Sequence, residues 1–220
     1  MFPINFRKIA VSLAIFAVVT LASATFTRAD TVTFQLDTGS TLPDQHYGTV
    51  TLTLVGSSIK VDIALDPGNR IVHTGFAASV AFNCTCSGAI TVSGLPATYT
   101  LVNGGNSGAI GMDGFGTFEY GVLFGPNGGG AGTDSALSFT VSRVGGFGSV
   151  FDLVQNSTNP PGSIASPFAV DIICDSCPGG ATGIVGTTSS PVPEPTSMLL
   201  LGSGLLGLGA SIRRRLRKSS

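Results

Sequence analysis

The sequence predicts an all-β body, an antiparallel β-sandwich of the jelly-roll kind, set between two apolar chain ends. Three observations carry this expectation. Apolar residues alternate with a period of two through most of residues 30–186. Glycine- and asparagine-rich stretches separate the alternating runs at regular spacing. Charged helix formers are scarce: in 30–192 the strong bases are Lys60, Arg70 and Arg143, and the one glutamate is Glu119. An amphipathic surface helix has no material for its polar face here.

Taken in order, "TVTFQL" (31–36) places Val32, Phe34 and Leu36 on one face. "GTVTLTLV" (48–55) does the same with Val50, Leu52 and Leu54, and "SIKVDIAL" (58–65) with Ile59, Val61, Ile63 and Leu65. Lys60 and Asp62 fall on the wet face. Gly56-Ser57 between the last two runs is a two-residue turn, so they read as a β-hairpin. Asp66-Pro67-Gly68-Asn69 is a turn because proline presets one dihedral and glycine accepts positive φ. "RIVHTGFAASVAFN" (70–83) holds one or two strands. "AITVSG" (89–94), "ATYTLVN" (97–103), "GTFEYGVLFG" (116–125), "ALSFTVSRV" (136–144) and "SPFAVDIIC" (166–174) follow, the last being the final expected strand. "SRVGGFGSVFDLVQNS" reads as a strand or a single helical turn around 150–155. The sum is eight or so strands with no repeat at a fixed period, which disfavours a solenoid or propeller. Residues 187–192 read as an extended linker.

Charge narrows the partners. Eleven acids oppose three bases over 30–192, a formal charge of −8, although the whole chain sums to −1. Scattered bases on an acidic body give no patch for a polyanion, so nucleic acid is excluded as an expected partner.

The search for chemistry finds no assembled site. His46 lies in a turn, "LPDQHYG", and His73 on an alternating strand, "RIVHTG". A hydrolytic triad needs a nucleophile, a histidine and an orienting acid in contact, and no G-x-S-x-G elbow occurs. Almost all of the acids fall in turns or at polar strand positions, where solvation accounts for them. No phosphate loop, dinucleotide fingerprint or calcium loop is present, and no cofactor or metal is expected. Tyr47, beside His46, is the one obvious candidate for an exposed aromatic that stacks on a sugar, although a loop-packing role is the favoured expectation for it. Asn83 and Asn156 begin N-glycosylation patterns that we do not expect to be used.

Cys84 and Cys86 form a CxC, Cys174 and Cys177 a CxxC. Four thiolates could hold zinc, but an even count in an exported domain favours disulfides. Spacing leaves the connectivity open. The arrangement we expect joins the Cys84/Cys86 loop to the Cys174/Cys177 loop, because a bond within CxC closes a very small ring.

The chain ends carry the clearest signals. Residues 1–29 have a basic start (Arg7, Lys8), an apolar stretch and small-x-small sites, the pattern of a secretory signal peptide cleaved after Ala29. It implies the Sec translocon and signal peptidase as partners. At the other end, Pro193-Glu194-Pro195 precedes a 15-residue apolar run, 198–212, and then Arg213, Arg214, Arg215, Arg217 and Lys218. As an α-helix the run is roughly 22 Å long, against about 30 Å of hydrocarbon, so it is a short transmembrane helix. Its basic flank stays in the cytoplasm by the positive-inside rule.

These three parts, in this order, resemble the PEP-CTERM sorting signal over residues 193–218. The resemblance implies export in a Gram-negative bacterium that makes extracellular polysaccharide, transient anchoring in the inner membrane, and processing by an exosortase. Pro193, Glu194 and Pro195 would then be recognition residues rather than catalytic ones. The expected function is a non-enzymatic surface or matrix protein associated with exopolysaccharide and biofilm. A carbohydrate-binding module stands second and a secreted hydrolase third.

Overall fold

The computed structural model describes residues 30–128, 132, 134–158 and 163–187. The signal peptide, the linker beyond Thr187, the Pro-Glu-Pro motif, the apolar run and the arginine cluster lie outside the described residues. The body is all-β. Its strands are β1 (Thr31–Gly39), β2 (Gly48–Val55), β3 (Ser58–Leu65), β4 (Asn69–Ile71), β5 (Val80–Phe82), β6 (Ile90–Ser93) and β7 (Tyr99–Leu101). They continue with β8 (Ile110–Met112), β9 (Gly116–Phe118), β10 (Tyr120–Phe124), β11 (Ala136–Arg143), β12 (Phe168–Cys174) and β13 (Ala181–Thr187).

One antiparallel sheet runs in the order β6-β11-β3-β2-β1-β13-β12-β5-β10-β7, with β4 also paired to β12. The hairpin expected from Gly56-Ser57 is present, with Val55 opposite Ser58 and Gly48 opposite Leu65. Along β1, β2, β3 and β11 the alternating apolar residues all enter one core. The opposite face is wet and lined by hydroxyls: Thr33 and Thr51 share a hydrogen bond of 3.0 Å across β1 and β2, and Lys60 pairs with Asp62 at 2.8 Å.

The sheet curls until its two halves face each other. Phe82 on β5 lies 6.0 Å from Phe139 on β11, ring centre to ring centre, although five strands separate them in the sheet order. Phe82 also stacks on Tyr120 at 6.0 Å and on Phe168 at 5.9 Å. The free edges nearly meet: Gly105, in the 3-10 turn Val102–Gly105 after β7, lies so close to β6 that a Cβ there would overlap the Ile90 carbonyl oxygen. Its φ of +86° also suits glycine alone. The result is a sandwich that has almost become a barrel.

A second layer covers one outer face. The β8–β9 hairpin brings Ile110, Met112, Phe115 and Phe118 onto Ala78, Ala81, Ala169 and Ile184. The small residues of β5, β12 and β13 make this approach possible. At Gly186 a Cβ would collide with the Phe115 ring.

Two sequence expectations need correction. The strand β13 falls in "ATGIVGT", where no strand was expected, and it sits in the middle of the sheet between β1 and β12. Its glycines dilute the alternating signal, yet close packing demands them: Leu42 and Thr41 crowd Gly183 as Phe115 crowds Gly186. The body therefore reaches Thr187, buried at 2 % exposure, rather than ending at residue 186. The run 116–125 is two strands, not one. The backbone changes partners at Glu119, whose N–H donates to Asn83 Oδ1 at 2.7 Å. The stretch 150–155 is the single-turn alternative, a 3-10 turn Val150–Leu153 capped by Ser149 and Asp152.

Phe82 touches three rings from both halves of the sheet, so Phe82→Ala is expected to cost about 3–5 kcal/mol. The change should appear as a lower urea midpoint. Thr33→Ala, on the wet face, should stay within about 1 kcal/mol of the parent, and equal effects for the two would contradict the core assigned here.

Candidate functional site

The strand edge of β12 is shared. Phe168, Ala169 and Val170 pair with β5, and Ile172, Ile173 and Cys174 pair with β4. Asp171 stands at the handover, where its carbonyl accepts from Val72 N–H at 3.0 Å and its own N–H donates to Ser79 O at 2.8 Å. The chain between, residues 72–79, leaves the sheet as a loop. Its anchor is the Asp171 side chain, which is fully buried. Thr74 N–H donates to Asp171 Oδ2 at 2.6 Å, and Thr74 Oγ1 donates to both carboxylate oxygens at 2.9 and 2.8 Å. His73 Nε2 binds Phe76 O at 3.1 Å and closes the loop on itself.

Burial drives the Asp171 carboxyl upward, to about 6. The Thr74 hydrogen bonds and nearby His73 oppose the rise without cancelling it. Almost all of the acids are expected to be solvated, and Asp171 is the exception. The sequence did hold a signal: in "FAVDIIC" the aspartate has apolar neighbours on both sides, as in a strand buried on both faces. His73 sits in the loop after β4 rather than on a strand, half-buried, and its Nδ1 has no hydrogen-bond partner among the described residues.

The loop carries Phe76 to the rim of a shallow open cleft of about 420 Å³ against the β8–β9 hairpin. Asp113, Thr117 and Ser163 add polar groups, and Gly111, Gly114 and Gly116 expose backbone along it. Asp171 thus positions Phe76 through Thr74 without reaching the cleft itself. Sequence reasoning missed this cleft because its residues come from three separated segments, one of them a hairpin hidden in "GAIGMDGFG".

His46 lies in the β1–β2 connection, as expected, and both its ring nitrogens are engaged. Nδ1 is 2.6 Å from Asp66 Oδ2, and Nε2 contacts Gln35 Oε1. Tyr47 takes the loop-packing role: it is fully buried and its hydroxyl donates to Pro43 O. Tyr99 and Tyr120 are buried as well. Asn83 is a packing residue, donating to Asn156 O at 2.9 Å.

The cysteines are paired locally, Cys84 with Cys86 and Cys174 with Cys177, with Cα–Cα distances of 5.0 and 5.3 Å. The cross-connection expected from loop length is corrected by register. Phe82 lies opposite Phe168, so Cys84 falls past one end of β12 while Cys174 closes the other. The 7 residues of β12 span roughly 20 Å, far beyond the ~4.4–6.8 Å that a disulfide tolerates between Cα atoms. Among the described residues no cluster of three or more His, Cys, Asp or Glu could hold a metal ion.

Against known proteins, residues 191–215 match the family model of the PEP-CTERM protein-sorting motif. The matched stretch contains Pro193, Glu194, Pro195, Arg213, Arg214 and Arg215, while Arg217 and Lys218 lie just past it. The motif indicates an exported protein with a membrane-associated sorting signal that an exosortase processes. No curated protein and no solved structure matches the chain.

Raising the Asp171 pKa in the folded state makes folding take up a proton between the ordinary carboxylate range and about pH 6. The stability this contributes is complete below about pH 4 and is lost as pH rises through 6. The shift of about two units corresponds to at most about 3 kcal/mol. Urea midpoints should therefore fall between pH 4.5 and 7.5, and Asp171→Asn should flatten that slope. A parent slope that survives the substitution would place the titration elsewhere.

Proposed function

We propose that this PEP-CTERM-tailed chain is a non-enzymatic protein of the cell surface or extracellular matrix of a Gram-negative bacterium, associated with exopolysaccharide and biofilm. The observation that supports the route is the tail: the matched motif coincides with a Pro-Glu-Pro, a 15-residue apolar run and a terminal arginine cluster.

The chemistry of the route follows from those residues. The signal peptide sends Asp30 outward through the Sec translocon, and signal peptidase removes residues 1–29. Residues 198–212 then stop in the inner membrane while Arg213, Arg214, Arg215, Arg217 and Lys218 stay on the cytoplasmic side. A helix of roughly 22 Å suits a temporary stop better than permanent residence. Proline disfavours helix at and just before its own position, so the sequence Pro193-Glu194-Pro195 suits the extended form a processing enzyme needs. Glu194 offers one recognisable charge at the membrane surface. Only residues 188–192 separate the last strand from this motif, at most about 18 Å of extended chain, so the enzyme works close beneath the folded body.

A second reading, a carbohydrate-binding module, is favoured by the cleft. Phe76 offers a face for stacking, and Asp113, Thr117 and Ser163 offer hydrogen bonds beside it. Sugar sites combine those two features. A secreted hydrolase comes third, with no observation in its favour.

For the sorting reading, Glu194→Ala combined with Pro195→Ala in the native host should make unprocessed precursor accumulate in the membrane fraction. The surface-delivered form should drop tenfold or more on immunoblots, and unchanged processing would refute the role of the motif. For the second reading, Phe76→Ala should weaken binding to the host's own exopolysaccharide at least tenfold in calorimetric titration. Parent protein that gives no heat, or a variant that binds as well, removes the cleft as a sugar site.

A further inference from the structure

The cleft beside Phe76 carries charge of one sign. Asp113 is the one ionisable residue among those that line it. It sits in the β8–β9 turn, exposed to solvent, and among the described residues no base pairs with it. The walls around it are fixed. Thr117 exchanges two backbone hydrogen bonds with Thr158, of 3.0 and 2.9 Å, and Ile164 N–H donates to Gly114 O at 2.8 Å, which brings Ser163 beside the hairpin. Met112 and Phe115 are buried against the sheet. Phe76 completes the lining, on the loop that Thr74 fastens to Asp171.

The body has no spare cation to bring there. Residues 30–192 contain three strong bases, and each faces an aspartate: Lys60 with Asp62 at 2.8 Å, Arg70 with Asp175 at 2.7 Å and Arg143 with Asp152 at 3.7 Å. The Arg143 guanidinium also lies 4.9 Å from the centre of the Phe147 ring. His46 is held between Asp66 and Gln35, and His73 turns its Nε2 to the Phe76 carbonyl at 3.1 Å. Eleven acids against three bases therefore leave the cleft in a negative potential.

A ligand must match both features of the lining. An aromatic ring takes the apolar face of a sugar, and its negative π-face also attracts a cation. A carboxylate beside that ring attracts the same cation. A uronate or a sulfated sugar would set anion against anion, with no base to offset the repulsion. A neutral sugar would use Asp113 only as a hydrogen-bond acceptor. A protonated amine on the sugar adds a charge and three donors, so it satisfies the carboxylate and the ring together.

We propose that the cleft selects sugars bearing a free, protonated amine: Asp113 pairs with the ammonium, Phe76 stacks on the sugar ring, and Thr117 and Ser163 hydrogen-bond its hydroxyls. The proposal rests on the reading of the cleft as a sugar site and names the class of sugar. Polysaccharides built from uronates are the ones the cleft turns away. Because the cleft is open, the bound unit can belong to a longer chain.

The full chain, in a polyoxyethylene detergent that carries no sugar, is titrated calorimetrically at pH 6. The ligands are hexamers of glucosamine, N-acetylglucosamine and galacturonic acid, and the host's own exopolysaccharide. The glucosamine hexamer should bind roughly tenfold tighter than its acetylated counterpart, and the galacturonate should give no heat. Asp113→Asn should bring the first two hexamers level. Asp62→Asn removes an equal charge from the wet face of β3 and should leave the preference unchanged. A preference that survives Asp113→Asn, or that falls equally with Asp62→Asn, belongs to the body's overall charge and overturns the proposal. Equal binding of the first two hexamers by the parent, or binding of the exopolysaccharide alone, overturns the amine and leaves the sugar-site reading standing. Silence with all four ligands overturns both.

Discussion

The fold depends on Phe82. It sits on a strand of three residues, too short to be held by its ladder alone, and its ring meets Tyr120, Phe168 and Phe139 within about 6 Å. The first two belong to strands beside it in the same half of the sheet, and Phe139 comes from the opposite half. An open sheet of this many strands would expose one apolar face or flatten. Curling onto the Phe82 cluster buries that face once, in a single core, and brings the edges at β6 and β7 close enough for Gly105 to be required. With the edges nearly joined, few ladder groups remain open to another chain.

Glycine has two separate uses here. Some glycines make turns. Others, such as Gly186, give the outer face room for a second layer, and without that room Phe115 could not pack against β13. The same layer creates a cleft that combines a half-exposed ring with several polar groups. Asp171 serves this arrangement at a distance. The carboxylate replaces a missing ladder contact where β5 gives way to β4, and so fixes the loop that carries Phe76. A buried charge is expensive, and three hydrogen bonds from one threonine offset part of that cost.

How much was legible in the sequence follows from which signal each element uses. β1, β2, β3 and β11 face water on one side, so they alternate; β2, β3 and β11 could be placed within a residue, while β1 runs three residues past its alternating stretch, to Gly39. β12 and β13 are covered on both faces, and their sequences, "FAVDIIC" and "ATGIVGT", lose the alternation. β13 also contains the small residues that its neighbours require, which by propensity alone argue against a strand. The cysteine types were readable, but their pairing was not, because it depends on β5 meeting the opposite end of β12 from Cys174. The sorting motif was readable, since its recognition rests on linear order and not on tertiary placement. The cleft was not readable at all: it forms where a loop, a hairpin and a segment near Ser163 converge, far apart in sequence.

The topology also ties the two parts of the chain together. Local disulfides close loops of three or four residues, for which chain-entropy estimates give roughly 2 kcal/mol each, against about 4 for long loops. Long-range order must therefore come from strand pairing. β1 and β12 have no ladder with each other and are joined through β13, the last strand among the described residues. Residues 31–39 and residues near 170 thus share no ladder frame until 181–187 are in place between them, an arrangement of high contact order and slow closure. The strand that completes the sheet directly precedes the tail, so whatever holds the tail also holds the end of the strand that must insert. The sorting signal and the body are chemically unlike, yet the position of β13 makes completion of one and placement of the other neighbouring events in the chain.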